Sequence, residues 1–118
     1  PDFLPDGTIA VFNNNMGVGA SDITVIDPRT RESHRAFAGS PERPFYSYQR
    51  GKHQALAHGH WLITETERGR AFEVDADGAV VWEFNNYFDE ASNGYVSKAI
   101  HLPEDFYGST APSCTRNE

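Results

Sequence analysis

Three short runs rich in β-branched and aromatic residues, at 61–64, 70–74 and 80–84, are separated by breakers at 67–69 and 75–78. No other feature limits the fold as tightly, because such runs favour strands and such breakers favour turns. Asp75-Ala76-Asp77-Gly78 puts an Asx residue where the turn begins and a glycine where it ends, the place at which a tight hairpin needs positive φ. The flanking strands must then be antiparallel neighbours, and 56–84 reads as a β-meander. A helix is disfavoured, since Gly59, Gly69 and Gly78 recur about every ten residues and each would cost on the order of 1 kcal/mol in a helix interior.

The same pattern occurs earlier in the chain. A strand at 9–12 follows a turn, 13–22 is an Asn- and Gly-rich loop, and a strand at 23–26 leads into 27–31, which reads as a type I turn with Pro28 at its second position. A strand at 33–37 returns, 38–44 is a Gly/Pro-rich crossing, and 45–57 is long enough for a further strand. Leu4-Pro5-Asp6-Gly7 matches Leu56-Ala57-His58-Gly59, 9–12 falls on 61–64, 25–27 on 73–75, and Phe37 answers Phe84. The offset drifts from 52 (Leu4 to Leu56) to 47 (Phe37 to Phe84), and the drift is confined to loops. A repeated supersecondary unit behaves in this way.

Four strands per unit with a period of about 40–50 residues is the pattern of a β-propeller blade. The expected fold is all-β: about two four-stranded antiparallel blades within 1–108, with units at 4–37 and 45–84 and the start of a third at 95–102, then a polar tail at 109–118. A small antiparallel β-sandwich is the alternative. A closed ring needs about four to eight blades, and isolated blades carry open edges that invite aggregation. Other protein chains or missing blades are therefore expected as partners.

Composition bounds the rest. A chain of 118 residues, 38% hydrophobic, can build one modest core, and an aromatic content of 13% suits packed sheet faces. The net charge of −7, with ten scattered Lys and Arg, argues against a nucleic-acid partner and for a solvated acidic surface. The single cysteine, Cys114, forms no intrachain disulfide. No apolar run approaches the roughly 18 residues of a membrane span, and no secretory signal pattern lies within the chain. The sequence begins at Pro1 without Met, so a processed, truncated or partial chain is expected.

Residues 4–14, 21–30, 56–65 and 69–85, in that order and spacing, resemble the arylsulfotransferase-like β-propeller family. The resemblance covers most of 1–108. It implies sulfuryl transfer from an aryl sulfate to a phenol through a sulfated histidine, in the central channel of a propeller, in the periplasm or outside the cell. The family's histidines sit on inner strands ahead of the Leu-Pro-x-Gly turns. His53, six residues before Gly59, is the match; it lies two residues off the family's spacing, which keeps the same strand face. The equivalent position before Leu4 would precede Pro1, so this chain alone is expected to be inactive.

Sulfuryl transfer needs an unprotonated nitrogen nucleophile, cationic donors for the developing oxyanion charge, and an acid or base for the phenol. His53, with Arg50 and Lys52, is the candidate set; in a regular strand Arg50 and Lys52 point away from His53. A structural hydrogen bond is the plainer role for a lone histidine in an aromatic-rich sheet. His58-Gly59-His60 offers two imidazoles, but a metal would need a third ligand from elsewhere; the simpler reading is that both replace the Asn residues usual at such a turn, and no metal or cofactor is expected. His101 on the third-unit strand and His34 on an outer strand read as ordinary polar residues. Glu65, Glu67, Arg68 and Arg70 read as a solvated hairpin rim.

Phe72, Val74, Phe37, Ile26, Trp82 and Phe84 read as inter-blade core. Two other functions fit the composition: a non-catalytic scaffold propeller assembling with other chains, and a carbohydrate-binding module with Trp61, Tyr46, Tyr48 and Tyr87 as stacking platforms.

Overall fold

The computed structural model describes residues 1–108; the expected polar tail 109–118, with Cys114, lies outside the described residues. Among these, the chain is all β apart from one 3-10 turn, Ala57–Gly59. The strands are β1 (Asp2–Phe3), β2 (Ile9–Asn13), β3 (Asp22–Ile26), β4 (Ser33–Ala38), β5 (Lys52–Ala55), β6 (Trp61–Glu65), β7 (Arg70–Val74) and β8 (Val80–Asn85). They form two four-stranded antiparallel sheets, ordered β1-β2-β3-β4 and β5-β6-β7-β8. No helix among the described residues is long and apolar enough to cross a membrane.

The sequence repeat is also a repeat of strand pairing. Ile9 lies opposite Ile26 as Trp61 lies opposite Val74, and Ile23 lies opposite Phe37 as Ala71 lies opposite Phe84. The β7–β8 turn forms as its residues dictate: Gly78 has φ 82 and its N–H donates to the Asp75 carbonyl, while the Asp75 carboxylate accepts the N–H groups of Asp77 and Ala79. The turn after Asp27 differs from the expected type I turn. It closes one residue later, with the Arg31 N–H donating to the Asp27 carbonyl at 2.8 Å and Arg31 itself left-handed at φ 64.

Residues directly opposite on antiparallel strands share a face, so the register assigns both faces of each sheet. Ala10, Phe12, Ile23, Val25 and Phe37 form one face of the first sheet. It packs on the face of the second sheet that carries Trp61, Ile63, Phe72 and Val74. Phe45, from the segment joining the sheets, inserts between them, with ring centroids 5.4 Å from Phe12, 5.6 Å from Phe37 and 5.7 Å from Phe72. Phe37 meets Phe72 at 5.9 Å with its ring inclined by 61°, near the edge-to-face geometry that aromatic quadrupoles favour.

The expected core set therefore divides. Phe72 and Val74 are buried, and Phe37 packs against them. Trp82 and Phe84 are 49% and 47% exposed, because both project from the opposite face of the second sheet, on its outermost strand. Ile26 is half-buried on the corresponding outer face of the first sheet.

After each sheet the chain folds back over it. Behind the first, the Ser21 N–H donates to the Phe45 carbonyl, and the Asn14 amide donates to the carbonyls of Ser47 and Arg50. Behind the second, the Ala99 N–H donates to Thr64 Oγ1, and Gln54 exchanges two hydrogen bonds with the backbone of His101.

Candidate functional site

The edge strands β1 and β5 bring one charged group from each sheet together. His53 lies opposite Ile63, and so projects from the face of the second sheet that meets the first. Asp2 lies opposite Ala10, on the facing surface of the first sheet. Across the junction His53 Nε2 stands 3.2 Å from Asp2 Oδ2, and the imidazole ring packs 5.9 Å from the Trp61 ring. The His53 side chain is only 5% exposed. The contact has ion-pair distance without hydrogen-bond alignment, so Nε2 is a buried nitrogen with no hydrogen-bond partner.

Burial pushes the His53 pKa down from its ordinary value of 6.5, and the Asp2 carboxylate opposes the shift only in part. The imidazole is thus held towards its neutral form. The folded state binds this proton less readily than the unfolded chain does, so the stability tied to His53 is complete above about pH 6.5 and falls as pH drops towards the lowered folded value. Denaturant midpoints measured at pH 7.5 and 5.5 should therefore converge in His53→Gln relative to the parent chain. An unchanged gap would contradict the burial of a neutral imidazole.

The other expected site residues are dispersed. Arg50 is exposed and precedes Gly51, ahead of β5; its N–H donates to Glu67 Oε1 and its carbonyl accepts from Asn14. Among the described residues, no hydrogen bond or ion pair joins the Arg50 guanidinium to His53. Lys52 lies opposite Thr64, on the face away from His53. His58 is left-handed at φ 60 and exposed, whereas His60 Nδ1 meets Glu73 Oε1 at 2.7 Å. His58, His60, Glu73 and His101 line one open cleft of about 590 Å³. Among the described residues no group of three or more His, Cys, Asp or Glu is arranged to hold a metal ion. His34 is exposed on β4. Of the four suggested stacking residues, Trp61 is buried between the sheets and Tyr46 is half-buried, leaving Tyr48 and Tyr87 exposed.

The hairpin at 65–70 departs most from expectation. It is a polar clamp on the connecting segment, and not a solvated rim. The Glu65 side chain is fully buried: its carboxylate accepts the Tyr46 N–H at 2.8 Å and Arg70 Nε at 2.7 Å, and Arg68 Nε stands at 3.4 Å. Arg70 in turn lies 4.3 Å over the Phe72 ring. Glu67 accepts from the Ser47 hydroxyl and from the N–H groups of Gln49 and Arg50. Partial burial opposes ionisation of Glu67, but these donors hold its carboxyl below the usual range. Together the two glutamates fix the path from Tyr46 to Arg50, and with it the position from which β5 and His53 start.

On the border away from β1 and β5, an open cleft of about 520 Å³ runs between the two sheets. Phe37 and Phe72 line it with Arg43, Arg68 and Arg70, and Glu83 stands 3.6 Å from Arg70.

A family model described as Arylsulfotransferase (ASST) matches residues 1–87. No curated protein and no solved structure matches the chain. The matched region takes in both sheets, the His53–Asp2 junction and the glutamate clamp. On that match, which covers 87 of 118 residues, the chain belongs to the arylsulfotransferase family.

Proposed function

We propose that the chain supplies two blades of an arylsulfotransferase-type β-propeller, and that the assembled propeller transfers a sulfuryl group from an aryl sulfate to a phenol. Family membership supports the chemistry. The propeller reading is supported by two consecutive meanders in identical strand order, stacked face to face with no strand crossing between sheets. β1 and β5 are then the inner strands of successive blades.

The observation that carries the chemical reading is the buried imidazole of His53 beside Asp2 at the inner border, its pKa pushed down by that burial. In the proposed reaction Nε2 attacks sulfur, the N–S bond forms, and the S–O bond to the aryl group breaks with its electron pair leaving on the aryl oxide. The acceptor phenol then loses its proton to Asp2, its oxygen attacks the same sulfur, and the N–S bond breaks with its electron pair returning to Nε2. Asp2 is the base closest to that nitrogen, and the exposed Arg50 supplies positive charge near the start of β5.

The depth of His53 favours a second reading. A side chain packed on Trp61 and 5% exposed is also what a purely structural junction would use, in a scaffold propeller without chemistry. Incubation with 4-nitrophenyl sulfate and a phenol separates the two. The catalytic reading expects 4-nitrophenol release, a covalent sulfuryl adduct on the His53 peptide by mass spectrometry, and loss of both in His53→Gln. Neither release nor adduct from the parent chain in a ring-sized assembly would leave the scaffold reading standing, and release that persists in His53→Gln would overturn the role given to His53.

A further inference from the structure

Ser40-Pro41-Glu42-Arg43-Pro44 carries the chain out of β4 as a tight turn. The Ser40 and Arg43 backbones exchange two hydrogen bonds, of 3.0 and 3.1 Å, around Pro41 at the second position, where proline pre-sets the turn. The Pro44 carbonyl then accepts from Arg70 at 3.3 Å, which ties the turn to the second sheet. Arg43 is thereby held on the wall of the cleft of about 520 Å³, together with Arg68 and Arg70. Three of the ten Lys and Arg residues of a chain with net charge −7 line this one cleft.

The three arginines are not equally engaged. Arg70 is committed: its Nε meets Glu65 at 2.7 Å, and its guanidinium covers the Phe72 ring. Arg68 uses only Nε, at 3.4 Å from Glu65, and its side chain is 50% exposed. Among the described residues, the Arg43 guanidinium has no hydrogen bond or ion pair. Two forked donors therefore line the cleft with little to hold. The carboxylates on its wall do not answer them. Glu83 stands 3.6 Å from Arg70 and accepts from Asn85, while hydrogen bonds from its own N–H and the Ser40 hydroxyl lower the Glu42 pKa. Phe37 and Val80, both half-buried, form the apolar wall. At Gly78 a Cβ would meet the Phe37 ring at 3.8 Å, so the glycine leaves that side of the ring open.

We propose that this cleft binds a small aromatic anion, a flat ring system bearing a sulfonate, sulfate or carboxylate. Guanidinium forks pair with the oxygens of such groups through parallel hydrogen bonds, and Arg43 and Arg68 supply the forks. Phe37 and Val80 take the ring. The volume falls within the range of small-molecule sites, about 300–1,000 Å³. The cleft lies on the border away from His53, so the site is separate from the proposed sulfuryl transfer and does not rest on it.

Calorimetric titration of the full chain with 2-naphthalenesulfonate tests the site, because its sulfur is bonded to carbon and offers no aryl–oxygen bond for transfer. The parent should bind one equivalent with a Kd below about 1 mM, and 2-naphthoate should compete. Arg43→Ala should weaken binding about tenfold, the effect of one charge-assisted partner, and Arg43→Glu should abolish it. Both should melt with the parent, since Arg43 has no contact to lose. Arg68→Ala, checked by far-ultraviolet circular dichroism, should also weaken binding about tenfold. Inorganic sulfate and 2-naphthol, each carrying half of the recognised chemistry, should each bind at least about tenfold more weakly than the sulfonate. Binding should persist in His53→Gln; its loss there would put the ligand at the sheet junction and overturn the proposal. So would a parent chain that takes up no ligand at about 10 mM, inorganic sulfate that binds as well as the sulfonate, a naphthoate that does not compete, or an affinity unchanged in Arg43→Glu.

Discussion

Phe72→Ala is expected to lower the unfolding free energy by about 3–5 kcal/mol. Phe72 is 1% exposed and touches the rings of Phe37 and Phe45 as well as the Arg70 guanidinium. Truncation therefore empties the junction from both sides, and little can collapse into the space because the neighbours are rings held by their own strands. A domain of this size has only about 5–15 kcal/mol of stability in all, so the loss should appear as a large drop in the urea midpoint. Phe84→Ala is the control: at 47% exposure it should cost under about 1 kcal/mol in the isolated chain. Equal effects from the two substitutions would contradict the placement of the junction.

Glu65→Ala is expected to cost about 3 kcal/mol, the range in which one partner of a buried ion pair is lost. The carboxylate is fully buried and satisfies Tyr46 N–H, Arg70 and Arg68 together. Removing it leaves two guanidinium groups and a backbone donor without their acceptor. Glu65→Gln keeps the volume and one acceptor oxygen but sets an amide N–H₂ against a guanidinium, so it should recover only part of the loss. Because Glu65 anchors the connecting segment at Tyr46, proteolysis between 39 and 51 should also become faster. A melt and a cleavage rate unchanged in Glu65→Ala would show that the clamp is not what orders this segment.

Most of the fold is legible in the residues. The Gly59 and Gly78 turns, the strand runs and the Phe37–Phe84 equivalence follow from local chemistry, and local chemistry survives into the pairing register. What escapes such a reading is which side of a sheet finds a neighbour. Trp82 and Phe84 have the composition of core, yet burial is decided by the sheet beyond them and not by their own strand. The glutamate clamp was legible in principle. Trp61, Ile63 and Glu65 alternate on one face, so a regular strand already directs the Glu65 carboxylate inward, towards Arg70 directly opposite. Its partner Tyr46 is 19 residues away across an irregular segment, and no local pattern announces that bond. His53 was identifiable as a strand residue, and it lies on β5. Its carboxylate neighbour Asp2 comes from the other sheet, through a junction that only the packing of Phe37, Phe45 and Phe72 creates.

That junction is the centre of the account, and a double-mutant cycle on Phe37 and Phe72 tests it most directly. The rings stand 5.9 Å apart at a favourable inclination. Denaturant titration of Phe37→Leu, Phe72→Leu and the double variant should give a coupling of about 0.5–1.5 kcal/mol, as contacting aromatic pairs do. Effects that add to within about 0.3 kcal/mol, as for residues that do not touch, would mean that the two sheets do not stack through these faces.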